Sequence, residues 1–419
     1  MEKLQEVERS ANIRARGAGG ESAPTGAMWP GADPSIRPYR RRRRPPWSPE
    51  EVARVSGQAT DSTLAVVGGG VIGLAVAWRA AEAGWTVTLF DPAVGSGASW
   101  VAGGMLAPLS EGWPGEDAVL EFGAAALAHW PDFAARLEAV TGVDVFVAAE
   151  TLTIAQDAAD AADLRTVAEW VGERGHELRV LDRAGVRELE PALARTVRAG
   201  LLAPTEPAID NRRLLTALRK AAAGAGVTVR PDRVHDLTEL DQRQVVLAAG
   251  AASAELWPGL PVRPVKGEIL RLRHRPGAQP PPSRVVRARV HGRPVYFVPR
   301  ADGLVLGATQ YEAGFDTAVT VAGVRDLIVD AETVLPGIGE YELLEAAAGA
   351  RPGSPDNLPL VGRLSDRVIA ATGHGRNGML TSALTAEAVV AELNGQPLAE
   401  VAAADPNRFT ASTPSGGSR

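Results

Sequence analysis

The stretch that decides the fold runs from Thr63 to Pro92, TLAVVGGGVIGLAVAWRAAEAGWTVTLFDP. Leu64 to Val67 is a short apolar run that meets three consecutive glycines, as a buried parallel strand does on entering a tight turn. From Val71 to Ala83 the apolar residues Ile72, Ala75, Val76, Ala80 and Ala83 recur at helical steps, Gly84 stops the helix, and Thr86 to Phe90 returns as a β-branched strand. This is one βαβ unit. Gly68 permits the turn, Gly70 leaves room for a pyrophosphate, Gly73 lets the helix approach the strand, and the helix N-terminus offers N–H groups to phosphate. Asp91 ends the second strand, where a carboxylate accepts from a ribose 2′-hydroxyl and repels a 2′-phosphate, which argues against NADP. A flexible glycine turn is the bland reading; the flanking strands, helix and acidic residue favour a dinucleotide. The motif leaves the choice between FAD and NAD open.

Composition bounds the rest. At 419 residues the chain is long enough for about two to three domains. With 45% hydrophobic and 22% charged residues it has the balance of an ordinary soluble globular protein. A net charge of -6 gives the folded body no electrostatic case for binding nucleic acid. There is no cysteine, which excludes disulfides, thiolate metal sites, cysteine nucleophiles and cysteinyl attachment of a flavin. The six histidines show no ligand spacing, so no metal is expected. The longest apolar run, Val66 to Trp78, is too short to span a bilayer, so the expectation is a cytoplasmic protein without membrane contact.

Residues 1–60 lack apolar periodicity and carry Arg40 to Arg44, a run of five arginines. They read as a disordered tail. The run has the chemistry to bind nucleic acid or anionic lipid, and the competing readings are a solvated tail or a start site set too far upstream.

After the βαβ unit, Gly95 to Pro108 (GSGASWVAGGMLAP) is dominated by small residues, which suits backbone approach to a planar or phosphorylated ligand and equally suits helix packing. Helices are expected over Asp117 to Val140, Ala158 to Arg174, Asn211 to Ala223 (capped by Asp210) and Val321 to Val334. Gln244 to Ala248 reads as a buried strand running into Gly250. From Gly267 the strands alternate: Gly267 to Arg273, Pro294 to Pro299 and Gly303 to Ala308 suggest an antiparallel sheet in a separate domain. Tyr296 and Val298 share one face of the second of these, so the Tyr296 hydroxyl either faces a cavity or is an ordinary strand tyrosine. Gly349-Ala350-Arg351-Pro352-Gly353 reads as a stiff loop presenting Arg351, either to capture a carboxylate or to solvent. Late in the chain GHGRNGML feeds another helix from a glycine turn, a second place where a helix N-terminus meets an anion or dipole.

These pieces in this order resemble the D-amino-acid-oxidase-like family of FAD enzymes, and within it the bacterial glycine oxidases of thiamine biosynthesis. The marks are GGGVIG with Asp91, AGGMLAP, VKGE at Val265 to Glu268, VYFVPR followed by VLGAT, ARPGSPDNLPLVG and GHGRNGML. The resemblance spans about residues 61–405. It implies an α/β chain with a Rossmann-like FAD-binding domain in discontinuous segments (61–108, 199–262, 343–405). The implied α+β substrate domain, with a mainly antiparallel sheet, takes 109–198 and 263–342, and 406–419 form a loose tail. Non-covalent FAD would contact Gly68, Gly70, Val71, Ile72, Gly73, Asp91, Ala98, Ser99, Gly103, Gly104, Met105, Val234 and Gly250. At the flavin end it would meet His374, Gly375, Arg376, Asn377, Gly378, Met379 and Leu380.

Arg351 would pair with the substrate carboxylate with help from Tyr296, and Arg376 would border the same pocket. No acid–base pair is required, because the implied reaction passes hydride from the α-carbon of glycine or a similar small amino acid to the flavin, with O2 reoxidising it to give H2O2. The imine or glyoxylate product would be available to thiazole synthase, and a homo-oligomer is expected. The alternative is a sarcosine or D-amino-acid oxidase or dehydrogenase with another electron acceptor. The sequence departs from the family pattern at Gly375, where an aromatic residue is frequent, and at Trp100 and Val101, where serine or alanine is usual.

Overall fold

The computed structural model describes residues 62–409. The arginine run and the rest of the expected N-terminal tail lie outside the described residues, as do 410–419 of the expected C-terminal tail; Pro406–Phe409 form a short 3-10 turn.

The opening strand Thr63–Val67 lies inside a six-stranded sheet. In spatial order the strands are Leu360–Arg363, Val368–Thr372, Gln244–Leu247, Thr63–Val67, Thr86–Phe90 and Thr228–Arg230. All neighbours are parallel except the first two. A parallel sheet is covered on both faces, which is why TLAVV is apolar throughout. Leu64 and Val66 enter one core while Ala65 and Val67 enter the other, the two-residue alternation of a strand.

The helix that follows, Val71–Glu82, is buried over nearly its whole circumference, so its sequence shows no polar face. Its one buried cation, Arg79, donates from Nε to Glu387 at 2.6 Å and also pairs with Glu82. Gly73 is indispensable to this packing: a Cβ there would overlap the Gly68 carbonyl oxygen.

The second sheet has eight strands: Glu342–Gly353, Arg263–Arg273, Gly303–Gly307, Arg293–Arg300, Val285–Val290, Thr151–Ala155, Ala199–Ala203 and Arg179–Asp182. Every neighbouring pair is antiparallel save Val285–Val290 with Thr151–Ala155. The alternation read in VYFVPR holds: Val295 and Phe297 enter one apolar cluster, Tyr296 and Val298 the other.

Three expectations need correction. Gly349 to Gly353 is no loop but the end of the edge strand Glu342–Gly353, in register with Arg263–Gly267. An edge strand tolerates Pro352 and the glycines because only one side of its ladder is paired. Ala199–Ala203 and Glu342–Gly353 pair within the eight-stranded sheet, although the resemblance puts both in the dinucleotide-binding segments. Finally, the helix Asp117–Thr141, placed with the substrate segment, buries Phe122, Trp130, Phe133 and Leu137 in the core beneath the six-stranded sheet. Phe133 meets Trp78 edge-on with ring centres 5.4 Å apart, and Trp130 Nε1 donates to the Leu380 carbonyl at 2.7 Å.

Candidate active site

A cavity of about 1250 Å³ runs from the opening glycine turn to the inner face of the second sheet. That exceeds the roughly 300–1,000 Å³ of a pocket for one small ligand, and suits a dinucleotide with a substrate beside it.

At one end lie Gly68, Gly70, Val71, Ile72, Asp91, Ala98, Ser99 and Val234. Gly68 has φ +107°, a conformation open to glycine, and a Cβ there would overlap the Ala248 carbonyl. Ser99 Oγ accepts the Val71 N–H at 3.0 Å, so a hydroxyl stands at the helix N-terminus where phosphate oxygens are expected. The Asp91 carboxylate accepts from Gly69 N and Ala93 N, each at 2.6 Å, which fixes its orientation; each oxygen retains a lone pair for a ribose hydroxyl. The buried Asn211 pins the short helix Ala98–Val101, donating to the carbonyls of Ser99 (2.9 Å) and Trp100 (2.8 Å).

In the middle lie Gly103, Gly104, Met105 and Gly250 from one side and His374 to Met379 from the other. Gly103 and Gly104 are sandwiched: a Cβ on Gly103 would lie 2.8 Å from the Tyr296 ring, and one on Gly104 would overlap the Ile209 carbonyl. From behind, the buried Arg300 donates to the Gly103 carbonyl at 2.8 Å. Burial lowers the Arg300 pKa to about 10, against the opposing pull of Asp210. At Gly250 and Gly375, by contrast, a Cβ would meet open space, as along a wall a flat ligand could cover. The sixteen-residue helix Gly378–Leu393 points its N-terminus here. His374 is sealed against Thr385 Oγ1 at 3.1 Å, and burial drops its pKa to about 3, so the ring is neutral.

At the far end, Tyr296 and Arg351 face each other across the strands of the second sheet. Burial raises the Tyr296 pKa even though Arg351 and Arg300 oppose it, so the phenol keeps its proton for donation. Arg351 Nη1 donates to the Thr309 carbonyl at 3.3 Å and the guanidinium also meets the Tyr296 hydroxyl, which leaves further donors for a ligand. Arg376 is engaged by a residue the sequence reading missed. Its Nε donates to Glu111 Oε2 at 2.8 Å, while Arg287 Nη2 stands 3.1 Å from Glu111 Oε1. Burial alone would raise the Glu111 carboxyl; Arg287, Arg376 and Arg351 together hold it below the usual range.

Of the sequence-named residues, Gly73 and Leu380 do not line the cavity. Gly73 serves helix–strand packing, and Leu380 is buried with its carbonyl taken by Trp130. Glu111, Arg287, Asn211 and Arg300 escaped the sequence reading. The one local signal was a lone acid at Glu111, directly after the small-residue stretch; Arg287 and Arg300 depend on strand register, and Asn211 on where the helix Asn211–Gly224 starts. Among the described residues no cluster of His, Cys, Asp or Glu is arranged to hold a metal, and no helix is long and apolar enough to cross a membrane.

Residues 63–393 match the family described as DAO, FAD dependent oxidoreductase. The bifunctional protein ThiO/ThiG of Synechocystis sp. is 31% identical over 378 residues, 84% of this chain and 55% of that protein. Two further ThiO/ThiG proteins are covered to a similar extent, so the chain spans about half the length of these curated relatives. The glycine oxidase of Geobacillus kaustophilus is 33% identical over 348 residues, 77% of this chain and 90% of that enzyme. A crystal structure of glycine oxidase from Geobacillus kaustophilus superposes with a TM-score of 0.76 at 30% identity, covering 82% of this chain and 98% of that one.

Proposed function

The chain belongs to the DAO family of FAD-dependent oxidoreductases, and on that premise we propose that it is an oxidase of glycine and similarly small amino acids. The observation that carries this reading is the pairing of Arg351 and Tyr296 in the cavity that also receives two helix N-termini and the Gly103–Met105 backbone. A guanidinium with free donors and a protonated phenol together bind a carboxylate. They would fix the substrate by that group and present its α-carbon to the middle of the cavity.

In this reading the adenine end of FAD takes Val234 and Asp91. The pyrophosphate takes Gly68, Gly70, Val71, Ile72, Ala98 and Ser99, and the ring system takes Gly103 to Met105, Gly250 and His374 to Met379. Bound FAD supplies a two-electron acceptor that dioxygen restores with release of hydrogen peroxide. The N-terminus of the helix Gly378–Leu393 favours negative charge beside it, a fixed contribution that needs no proton transfer. The neutral His374 ring cannot act as a cationic partner at physiological pH. No residue in the cavity is assigned as a general base, because a free amine bound through its carboxylate needs orientation rather than deprotonation by the protein. The balance is glycine, O2 and water giving glyoxylate, ammonia and H2O2. The ThiO/ThiG relatives support passing the imine to a thiazole synthase before it hydrolyses.

The experiment is an anaerobic titration of the purified flavoprotein with glycine, followed by air. Loss of the flavin's visible absorbance, its return on aeration, and stoichiometric peroxide are the expected results. Flavin that stays oxidised in saturating glycine and sarcosine would refute the reading.

A further inference from the structure

We infer that Glu111 is a specificity-determining residue: a resident carboxylate that occupies the second anion site of the cavity and restricts substrates to those with one carboxylate. The inference rests on the reading of Arg351 as the substrate's carboxylate anchor.

The cavity contains three guanidinium groups near one another, from Arg287, Arg351 and Arg376. Such a set would ordinarily suit a dicarboxylate. Glu111 changes the count. It lies across Arg287 (3.1 Å) and Arg376 (2.8 Å), taking one oxygen to each, and leaves Arg351 engaged only by the neutral Thr309 carbonyl and Tyr296 hydroxyl. One carboxylate of an incoming amino acid therefore finds one arginine with donors to spare. A second carboxylate would have to share the remaining two with Glu111, and like charges brought together where water is excluded repel strongly.

Glu111 is also prevented from swinging away. The neighbouring Ser110 is clamped by the fully buried Glu206, whose carboxylate accepts from the N–H groups of Leu109 and Ser110 (2.9 Å for the latter) and meets Ser110 Oγ at 2.5 Å. Arg287 Nη1 donates to the same Ser110 Oγ at 3.2 Å, so the guanidinium that holds Glu111 is tied to the loop that carries it. The acid is thus built in as a fixed wall.

The test uses two ligands without an amine, so that binding is read apart from turnover. Methoxyacetate has one carboxylate and diglycolate two, with otherwise matched ether backbones. Affinities are measured on the FAD-loaded protein, from the perturbation of the flavin spectrum and by calorimetry, for wild type, Glu111→Gln, Glu111→Met and Glu111→Asp. Wild type and Glu111→Asp are expected to prefer methoxyacetate by tenfold or more. Either neutral variant should shift the ratio toward diglycolate by at least tenfold, and should move the kcat/KM ratio of iminodiacetate to glycine in the same direction. Two neutral variants guard against one failing to fold. An unchanged ligand ratio in a folded, flavin-loaded neutral variant would overturn the inference. Failure of wild type to bind methoxyacetate at all would instead overturn the assignment of Arg351.

Discussion

The guanidinium of Arg351 rests on the bare α-carbon of Gly267. A Cβ at Gly267 would overlap Cζ and both terminal nitrogens of that side chain. The two residues are diagonal neighbours on adjoining strands, Gly267 pairing with Gly349 and Arg351 with Val265. Gly267→Ala should therefore push the guanidinium off its seat while leaving the flavin site intact. The expected outcome is normal flavin content with a tenfold or greater rise in the KM for glycine, read by steady-state peroxide production.

Arg351→Ala removes the anchor outright. One charge-assisted pair in a closed site contributes about 1.5–3 kcal/mol, so KM should rise roughly tenfold to more than a hundredfold. Arg351→Lys should recover only part of the loss, because an ammonium lacks the planar fork. An unaltered KM in Arg351→Ala would remove this residue from the substrate site.

Gly68→Ala adds a methyl group into the Ala248 carbonyl at a φ of +107°. Neither the backbone nor the carbonyl can yield without separating two central strands. Protein recovered from this variant should lack the flavin absorbance, and its melting temperature should fall by several degrees.

Two buried groups set opposing pH trends. Burial raises the Glu206 pKa to about 7 from 4.5, against hydrogen bonds from Ser110 and Leu109 and the charge of Arg287. Between those values the native state holds a proton that the unfolded chain releases, so stability falls as pH rises through this window and levels off above it. Burial drops His374 to about 3 from 6.5, so its neutral ring contributes fully above pH 6.5 and the contribution is lost as pH falls toward 3. Glu206→Gln can keep both backbone N–H bonds and donate to Ser110. It should stabilise the protein by roughly 1–3 kcal/mol at pH 7.5 and by little near pH 4.5, measured by denaturant unfolding at each pH.

Lys266 and Glu268, both fully buried, staple the segment from Thr309 to Thr320 over the second sheet. Glu268 accepts from Thr320 N at 2.8 Å and from Thr309 Oγ1 at 3.0 Å, while Lys266 reaches Asp316 at 3.2 Å and the Ala318 carbonyl. Glu268→Ala should cost about 3–5 kcal/mol, since it removes the acceptor of the Thr309 and Thr320 hydrogen bonds and leaves the buried Lys266 ammonium with the exposed Asp316 as its counter-charge. Limited proteolysis should then cut first between Gln310 and Val319.

The βαβ unit was legible because each local signal agreed with the next: an apolar strand, three glycines, a helical stripe, then a β-branched strand. The alternation in VYFVPR likewise put Tyr296 and Val298 on one face of the strand, and left open whether that face lines a cavity. The stretch around Arg351 reads as a loop and is a strand, since Gly-Ala-Arg-Pro-Gly has a loop's composition and only the edge position of the strand explains it. The strand Val285–Val290 alternates, but Val286, Ala288 and Val290 make its apolar face and Arg287 falls with Arg289 on the polar one, which reads as solvent-facing. Glu111 carried only the signal of a lone acid after the small-residue stretch; its role could not be read, because its partners Arg287 and Arg376 come from remote segments that only the fold brings to one carboxylate.

The order of the six-stranded sheet has a consequence for how the protein is made. Val368–Thr372 sits beside Gln244–Leu247, which sits beside Thr63–Val67, and the helix Gly378–Leu393, tied to the first helix through Arg79 and Glu387, adds its N-terminus to the cavity lining. On the ribosome the phosphate cradle emerges early and waits, without its late strand and helix, until the chain has been extended past Leu393. Cofactor capture then waits for the last strand and helix of this fold, and the yellow colour of the holoprotein would certify that both ends of the cavity have met.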